Sequence, residues 1–197
     1  MANLVKKGFR WVRSATSPGT QMPVEIHRVA SGYGSEITTG HPVKILSTGY
    51  ADIAAPTEEV YGICVGAEQY YDGTVMRKGP SLPASTTYGS VIERISLIRV
   101  VPVEGQIFRA SCDEGTSFTT YATHFENVQE NVEFVAGTAA NGYSGAQLDI
   151  STAATTNTLT CTIVNVPDRD IQDFASTGVD LEVRFNLIQD VADATGT

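Results

Sequence analysis

Two short apolar runs with a turn-rich break between them most constrain what this chain can fold into; they lie in HPVKILSTGYADIAAPTEEVYGICVGAEQYYDG, residues 41–73. The runs cover residues 42–46 and 60–65, and Ser47, Thr48 and Gly49 open the break. Runs of this kind read as strands and such breaks as turns. Tyr61, Ile63 and Val65 alternate with Gly62, Cys64 and Gly66, which suits a strand with one crowded face and one closely packed face. The pair reads as two staves of a small β-barrel or sandwich, with no reactive cluster on it.

The rest of the chain agrees with that class. A length of 197 residues is enough for one domain or two small ones with a proper core. Eighteen glycines and apolar runs of only a handful of residues predict an all-β fold with many turns. The expected organisation is an extended N-terminal arm over 1–35, a β-barrel-like domain over 36–120, and a second β-region over 121–197 that completes or packs on the first. No stretch approaches the roughly 20 apolar residues of a membrane-spanning helix, and MANLVKKGFRWVRSATSPGT lacks the continuous apolar centre of a signal peptide. Cys64, Cys112 and Cys161 are widely spaced and odd in number, so buried free thiols in a protein made in a reducing cytoplasm are expected.

Charge divides the chain unevenly. Residues 1–28 carry a net charge of +4 and the remainder −13, within the total of −9. An acidic body repels nucleic acid, so no direct nucleic-acid role is expected of it. The basic end holds the only tryptophan, Trp11, between Arg10 and Arg13, followed by a Ser/Thr/Pro/Gly run over 14–23. It reads either as a loose terminus or as an arm lying on a neighbouring subunit with Phe9 and Trp11 as anchors.

Further along, residues 24–29 form a short strand candidate, and Gly32, Tyr33 and Gly34 a turn without the framing of a dinucleotide fingerprint. Asp72-Gly73 predicts a hairpin, and residues 77–88 an extended excursion. A β-branched run over 91–103 turns at Glu104-Gly105 and returns over 106–112, predicting a second hairpin. A polar turn is expected over 113–123. Phe125, Val128, Val132 and Val135 have helical spacing, but Asn127, Asn131 and β-branched neighbours favour strand. Residues 136–145 read as a small-residue linker. Leu181, Val183, Phe185 and Leu187 alternate with Glu182, Arg184 and Asn186, the clearest period of two in the chain.

Three segments in this order carry a resemblance: the strand pair ending in AEQYYDG, the block IRVVPVEGQIFRASCDEG, and GYSGAQLDISTAATTNTLTCTIVNVPDRDIQDFASTGVDLEVRFN. Together they span roughly residues 40–188, and their order is more specific than any one of them. The chain resembles the small all-β virion proteins of tailed bacteriophages that decorate or cement the icosahedral head. The resemblance implies a subunit on the capsid exterior, made in the host cytoplasm, that binds the major capsid protein and itself, as a homotrimer, and stabilises the head. It implies no catalytic residues, no cofactor and no membrane. Lys6, Lys7, Phe9, Arg10, Trp11 and Arg13 are then the candidate capsid or inter-subunit contacts. A carbohydrate- or receptor-binding β-module of a head fibre or tail is the alternative.

The residues offer little for other chemistry. His27, His41 and His124 are the only histidines, and no nucleophile elbow accompanies them. HExxH and CxxC spacings are missing, and Asp168, Asp170 and Asp173 match a calcium loop weakly, with Arg169 between them. A solvated acidic turn is the plainer reading. Tyr70 and Tyr71 would point to opposite faces of a strand, so at most one can serve a sugar platform.

Overall fold

The computed structural model of the chain describes residues 7–17, 21–85, 95–113, 119–156, 158–167, 172–175 and 178–190. In chain order the elements are β1 (Arg10–Ser14), β2 (Glu25–Arg28), β3 (Ile37–Thr38), β4 (Pro42–Ile45), β5 (Ala51–Ile53), β6 (Gly62–Tyr71), β7 (Met76–Gly79), β8 (Ser81–Leu82), β9 (Leu97–Pro102), β10 (Gln106–Ser111), α1 (Tyr121–Glu126), β11 (Asn131–Val135), β12 (Gln147–Ala154), β13 (Cys161–Asn165) and β14 (Asp180–Phe185). The fold is all-β, as the turn-rich sequence predicts. One sheet has the order β2-β9-β6-β4-β5 with β7 added to β6; the other has the order β1-β10-β14-β13-β11-β12; β3 and β8 form a small ribbon.

The two sheets share one topology, register by register. The first uses β2, β4, β5, β6 and β9, and the second β10, β11, β12, β13 and β14, in corresponding order of pairing. Val43 pairs with Ile53, Lys44 with Asp52 and Ile45 with Ala51, while Glu133 pairs with Asp149 and Phe134 with Leu148. Val43 also faces Gly62, and Val132 faces Cys161, so Val43 and Val132 are equivalent. Each sheet then has a bulge at the same place, between Cys64 and Gly66 against β9 and between Ile163 and Asn165 against β14. Each sheet also curls until its ends meet at one isolated parallel bridge, Val29 to Ala51 in the first and Cys112 to Leu148 in the second. Counting outward from the bulges makes those bridge residues equivalent as well. The expected barrel is therefore approached but not made: among the described residues neither curled sheet is closed by a ladder.

Burial follows the repeat. Val29, Val43, Ile45, Ala51, Cys64, Ile98 and Val100 line the inside of the first sheet, and their equivalents Cys112, Val132, Phe134, Leu148, Ile163, Leu181 and Val183 line the second; all are buried. Ile37 and Leu82 of the ribbon complete the first core, and Phe9 completes the second. The opposite face of the first sheet, with Ile63 and Val101, joins the buried cluster of the second, which binds the two units together. The returning C-terminal segment adds to that junction: Val60 exchanges backbone hydrogen bonds with Leu187 and Gln189, and the Gln189 amide holds the backbone of Ile45.

Several expectations are corrected by this pairing. Strand pairing divides the chain near Val103–Gly105 rather than at residues 35 and 120, because β2 already belongs to the first sheet and β10 to the second. The Glu104-Gly105 turn is not a hairpin. Both edges of β9 are taken by β2 and β6, so the chain turns through Gly105, at φ +63°, and carries β10 into the other sheet. The Asp72-Gly73 hairpin does form between β6 and β7, with the Asp72 carboxylate accepting from the amides of Thr74 and Val75 at 2.8 Å each. Strand over helix holds from Asn131 onward, but residues 121–126 are helical. Thr120 caps that turn in a reciprocal box with Thr123, a local signal within the polar residues expected to form a turn. The chain before residue 25 is not a free arm in its described part, since β1 pairs with β10.

Gly62 sits where the second unit has Cys161, and the first unit has no room for a side chain there. A Cβ at Gly62 would press on Val100 and come within 2.7 Å of the Val101 carbonyl oxygen. Gly62→Ala is expected to destabilise the protein by about 1–3 kcal/mol, as overpacking does, seen as a lower midpoint in urea denaturation with an unchanged slope.

Candidate interaction surface

The site residues predicted from the basic N-terminus gather on the outer edge of the second sheet. Lys6 lies outside the described residues, and Lys7 is half-buried beside the crossing of Gly8 and Gly40. Phe9 donates its backbone N–H to the Gly40 carbonyl at 3.0 Å and inserts its ring into the core at 1% exposure. There it meets Phe185 at 5.1 Å and Phe134 at 5.8 Å, the latter edge-on. Phe9 is thus an anchor inside its own chain and not an exposed contact for a neighbour.

Beyond Phe9 the strand alternates. Trp11 is partly buried against the same core and donates its indole N–H to the Gln106 amide oxygen at 2.8 Å. Arg10 pairs with Asp180, which also accepts from the Ser111 hydroxyl at 2.8 Å. Arg13 reaches the carboxylate of Glu182 at 2.8 Å, and Arg109 reaches its other oxygen at 3.1 Å. Two of the basic side chains, Arg10 and Arg13, are therefore met by carboxylates of β14 in the same chain. Arg10 and Arg13, named from the sequence as contacts to a capsid or a neighbouring subunit, are thus paired inside the chain, and their partners Asp180 and Glu182, with Arg109 beside them, were not singled out from the sequence. The signal was the strict alternation of β14, which puts Asp180, Glu182 and Arg184 on one face.

Glu182 is the centre of this cluster, with its side chain only 4% exposed. Burial pushes its carboxyl upward, but hydrogen bonds from Arg13, Arg109 and Asn165 outweigh that and hold it below the ordinary carboxylate value. A carboxylate with that many donors is structural cement for β1, and it is not poised to move a proton near neutral pH.

The other groups weighed for chemistry are dispersed. Cys64, Cys112 and Cys161 are all buried and free of disulfides. Burial pushes the Cys64 thiol up to about 12, so it holds its proton. His41 accepts the Thr38 amide on Nδ1 at 3.0 Å, and burial lowers its value to about 4. His27 meets the Tyr61 ring edge-on, the Tyr61 hydroxyl donates to Glu25, and His124 of α1 is buried beside Phe174. Among the described residues no group of three or more His, Cys, Asp or Glu side chains could hold a metal ion. Asp168 and Asp170 lie outside the described residues. Tyr70 packs on the first core; the exposed aromatics among the described residues include Phe125, 53% exposed and stacked on Tyr121 at 5.7 Å, and Tyr143, 39% exposed.

Removing the Glu182 charge should release β1. Glu182→Gln is expected to cost about 1.5–3 kcal/mol, the range for hydrogen bonds to a charged group, and to speed amide exchange across Arg10–Ser14. Because the folded value of Glu182 is depressed, its contribution is complete above the ordinary value of 4.5 and is lost as pH falls through the lower folded value. Acid titration of thermal stability should therefore show a steeper fall in the native protein than in Glu182→Gln.

Comparison with family models, curated proteins and solved structures finds no match to this chain.

Proposed function

We propose that this chain is a virion structural protein that binds the outer surface of a phage capsid and stabilises the head as a cement or decoration subunit. The observation that carries the reading is the order of the three resembling segments. All three belong to one joined body: β4 to β6 with the Asp72 turn, β9 with β10, and β12 to β14. A body of this kind suits adhesion to a shell. Most of its large apolar side chains lie in two linked cores, Arg10 and Arg13 are paired by its own β14, and the chain beyond residue 28 is strongly acidic, which opposes non-specific aggregation. Copies held on a lattice engage several subunits at once, so individually weak contacts sum through effective concentration. The major capsid protein is the proposed partner, and the role is grip rather than bond making.

A carbohydrate- or receptor-binding role on a head fibre or tail is the second reading, favoured by the exposed ring of Phe125 stacked on Tyr121. Aromatic rings presented to solvent are the usual platform for sugars. Loss of glycan-array binding in Phe125→Ala, with the fold intact, is the result that would favour it.

Labelled imaging of purified particles tests the first reading. The protein is expected on the head exterior in many copies, and particles stripped of it should release DNA at a lower temperature. Absence from the exterior, or stripped particles with unchanged heat resistance, would remove the cementing role.

A further inference from the structure

The internal repeat shows that the two units treat one equivalent sheet edge differently. In the second unit the outer edge of β10 is covered by β1, with Ser14 opposite Gln106, Arg13 opposite Ile107, Trp11 opposite Phe108 and Arg10 opposite Arg109. Carrying the register across through Val100 and Val183, those four positions of β10 correspond to Pro23, Val24, Glu25 and Ile26. Here the same edge is bare among the described residues. Ile107 is 5% exposed and its equivalent Val24 42%; Phe108 is fully buried and its equivalent Glu25 exposed; Ile26, equivalent to Arg109, is 57% exposed.

The bare edge has its backbone ready. Val29 donates its N–H to Ser96 at 3.0 Å and lies opposite it in the β2–β9 register. By alternation, Glu25 and His27 also turn their backbone groups toward β9, leaving those of Val24, Ile26 and Arg28 directed outward. Pro23 falls on an inward position, so its missing N–H takes no donor from the open side. The side chains alternate too. Glu25 and His27 engage Tyr61 within the chain, while Met22, Val24 and Ile26 form an exposed apolar stripe, Met22 at 39%. An apolar, unpaired edge is a template for strand addition.

We infer that this edge, residues 22–26, is a self-association site at which a second copy of the chain adds its own β2 antiparallel about a two-fold axis at Val24. In that register Val24 meets Val24 of the second copy and Met22 meets Ile26, so the two apolar stripes cover one another. Glu25 stands opposite Pro23 of the second copy, and no like charges are opposed. Charge excludes the N-terminal strand of another copy as the occupant. The seat of β1 offers Asp180 and Glu182, but the equivalent positions on β9 are Leu97 and Arg99, with exposed Arg28 alongside, and these would oppose Arg10 and Arg13. The contact is small and the association therefore weak and concentration-dependent.

This pairing is independent of the virion reading and differs from the threefold ring that the resemblance implies, so the two can fail separately. Sedimentation of the full chain over a concentration series should show masses moving from one copy toward two, and Ile26→Lys should weaken association by about tenfold or more. A Val24→Cys chain should form an interchain disulfide on mild oxidation, since directly opposed residues in an antiparallel pair bring Cα atoms within bridging range. Arg28→Cys, placed far from its own copy in this register, should not. A single-copy or three-copy mass throughout, or equal crosslinking of the two cysteine variants, would overturn the inference. A protein that dimerises in this way but is missing from the particle exterior would leave the inference standing and remove the capsid role.

Discussion

The structure rests on how each sheet manages its edges. A five-stranded sheet of short strands has two open edges and one face too large for a single layer to cover. Both units solve this by curling until the first and third strands meet, at Val29 and Ala51 in one and at Cys112 and Leu148 in the other. Curling turns alternate residues of the strands inward, which is why most equivalent positions are buried in both units; the exceptions lie on β2, where exposed Glu25 and half-buried His27 stand for buried Phe108 and Ala110. The bulges at Cys64–Gly66 and Ile163–Asn165 supply the extra local twist that such curvature needs.

Repetition of this plan does not make the units interchangeable. Ala51, Cys64 and Gly62 stand where the second unit has Leu148, Ile163 and Cys161, so the first unit closes more tightly and takes its remaining volume from the ribbon residues Ile37 and Leu82. The second unit encloses Phe9, Phe108, Phe134 and Phe185. Phe9 enters from the far end of the chain and commits the N-terminus to the second sheet. Once it is in place, Arg10 and Arg13 fall beside Asp180 and Glu182, and the basic end becomes an edge strand.

The asymmetry that follows bears on function. One edge is covered by the chain itself, with paired charges, and its equivalent is apolar and uncovered among the described residues. In the proposed role, confining the open edge to one place would give association a direction while the acidic remainder of the surface resists disorderly contact.

Much of this was legible in residues alone. A strand beginning in the run 60–65, the hairpin at Asp72-Gly73, the alternation of β14 and the buried thiols follow from period-two patterning, turn chemistry and cysteine spacing, all of which act over a few neighbours. The internal repeat was not legible. The equivalent pairs Val43 and Val132, Asp52 and Asp149, and Ile53 and Ile150 are shared, but Gly62 and Cys161, or Arg99 and Glu182, have nothing in common chemically. Strand equivalence is carried by register, and register tolerates any residue that fits its face. The Glu104-Gly105 turn shows the same limit: its dipeptide determined that the chain reverses, while the filled edges of β9 decided that β10 pairs elsewhere. The basic N-terminus was likewise visible as charge, and only the tertiary structure, by burying Phe9, decided that its partners lie in its own chain. Sequence alone determined which segments extend and where they bend, because those are local energies; which edges meet was settled by the competition of distant strands for a limited number of backbone partners.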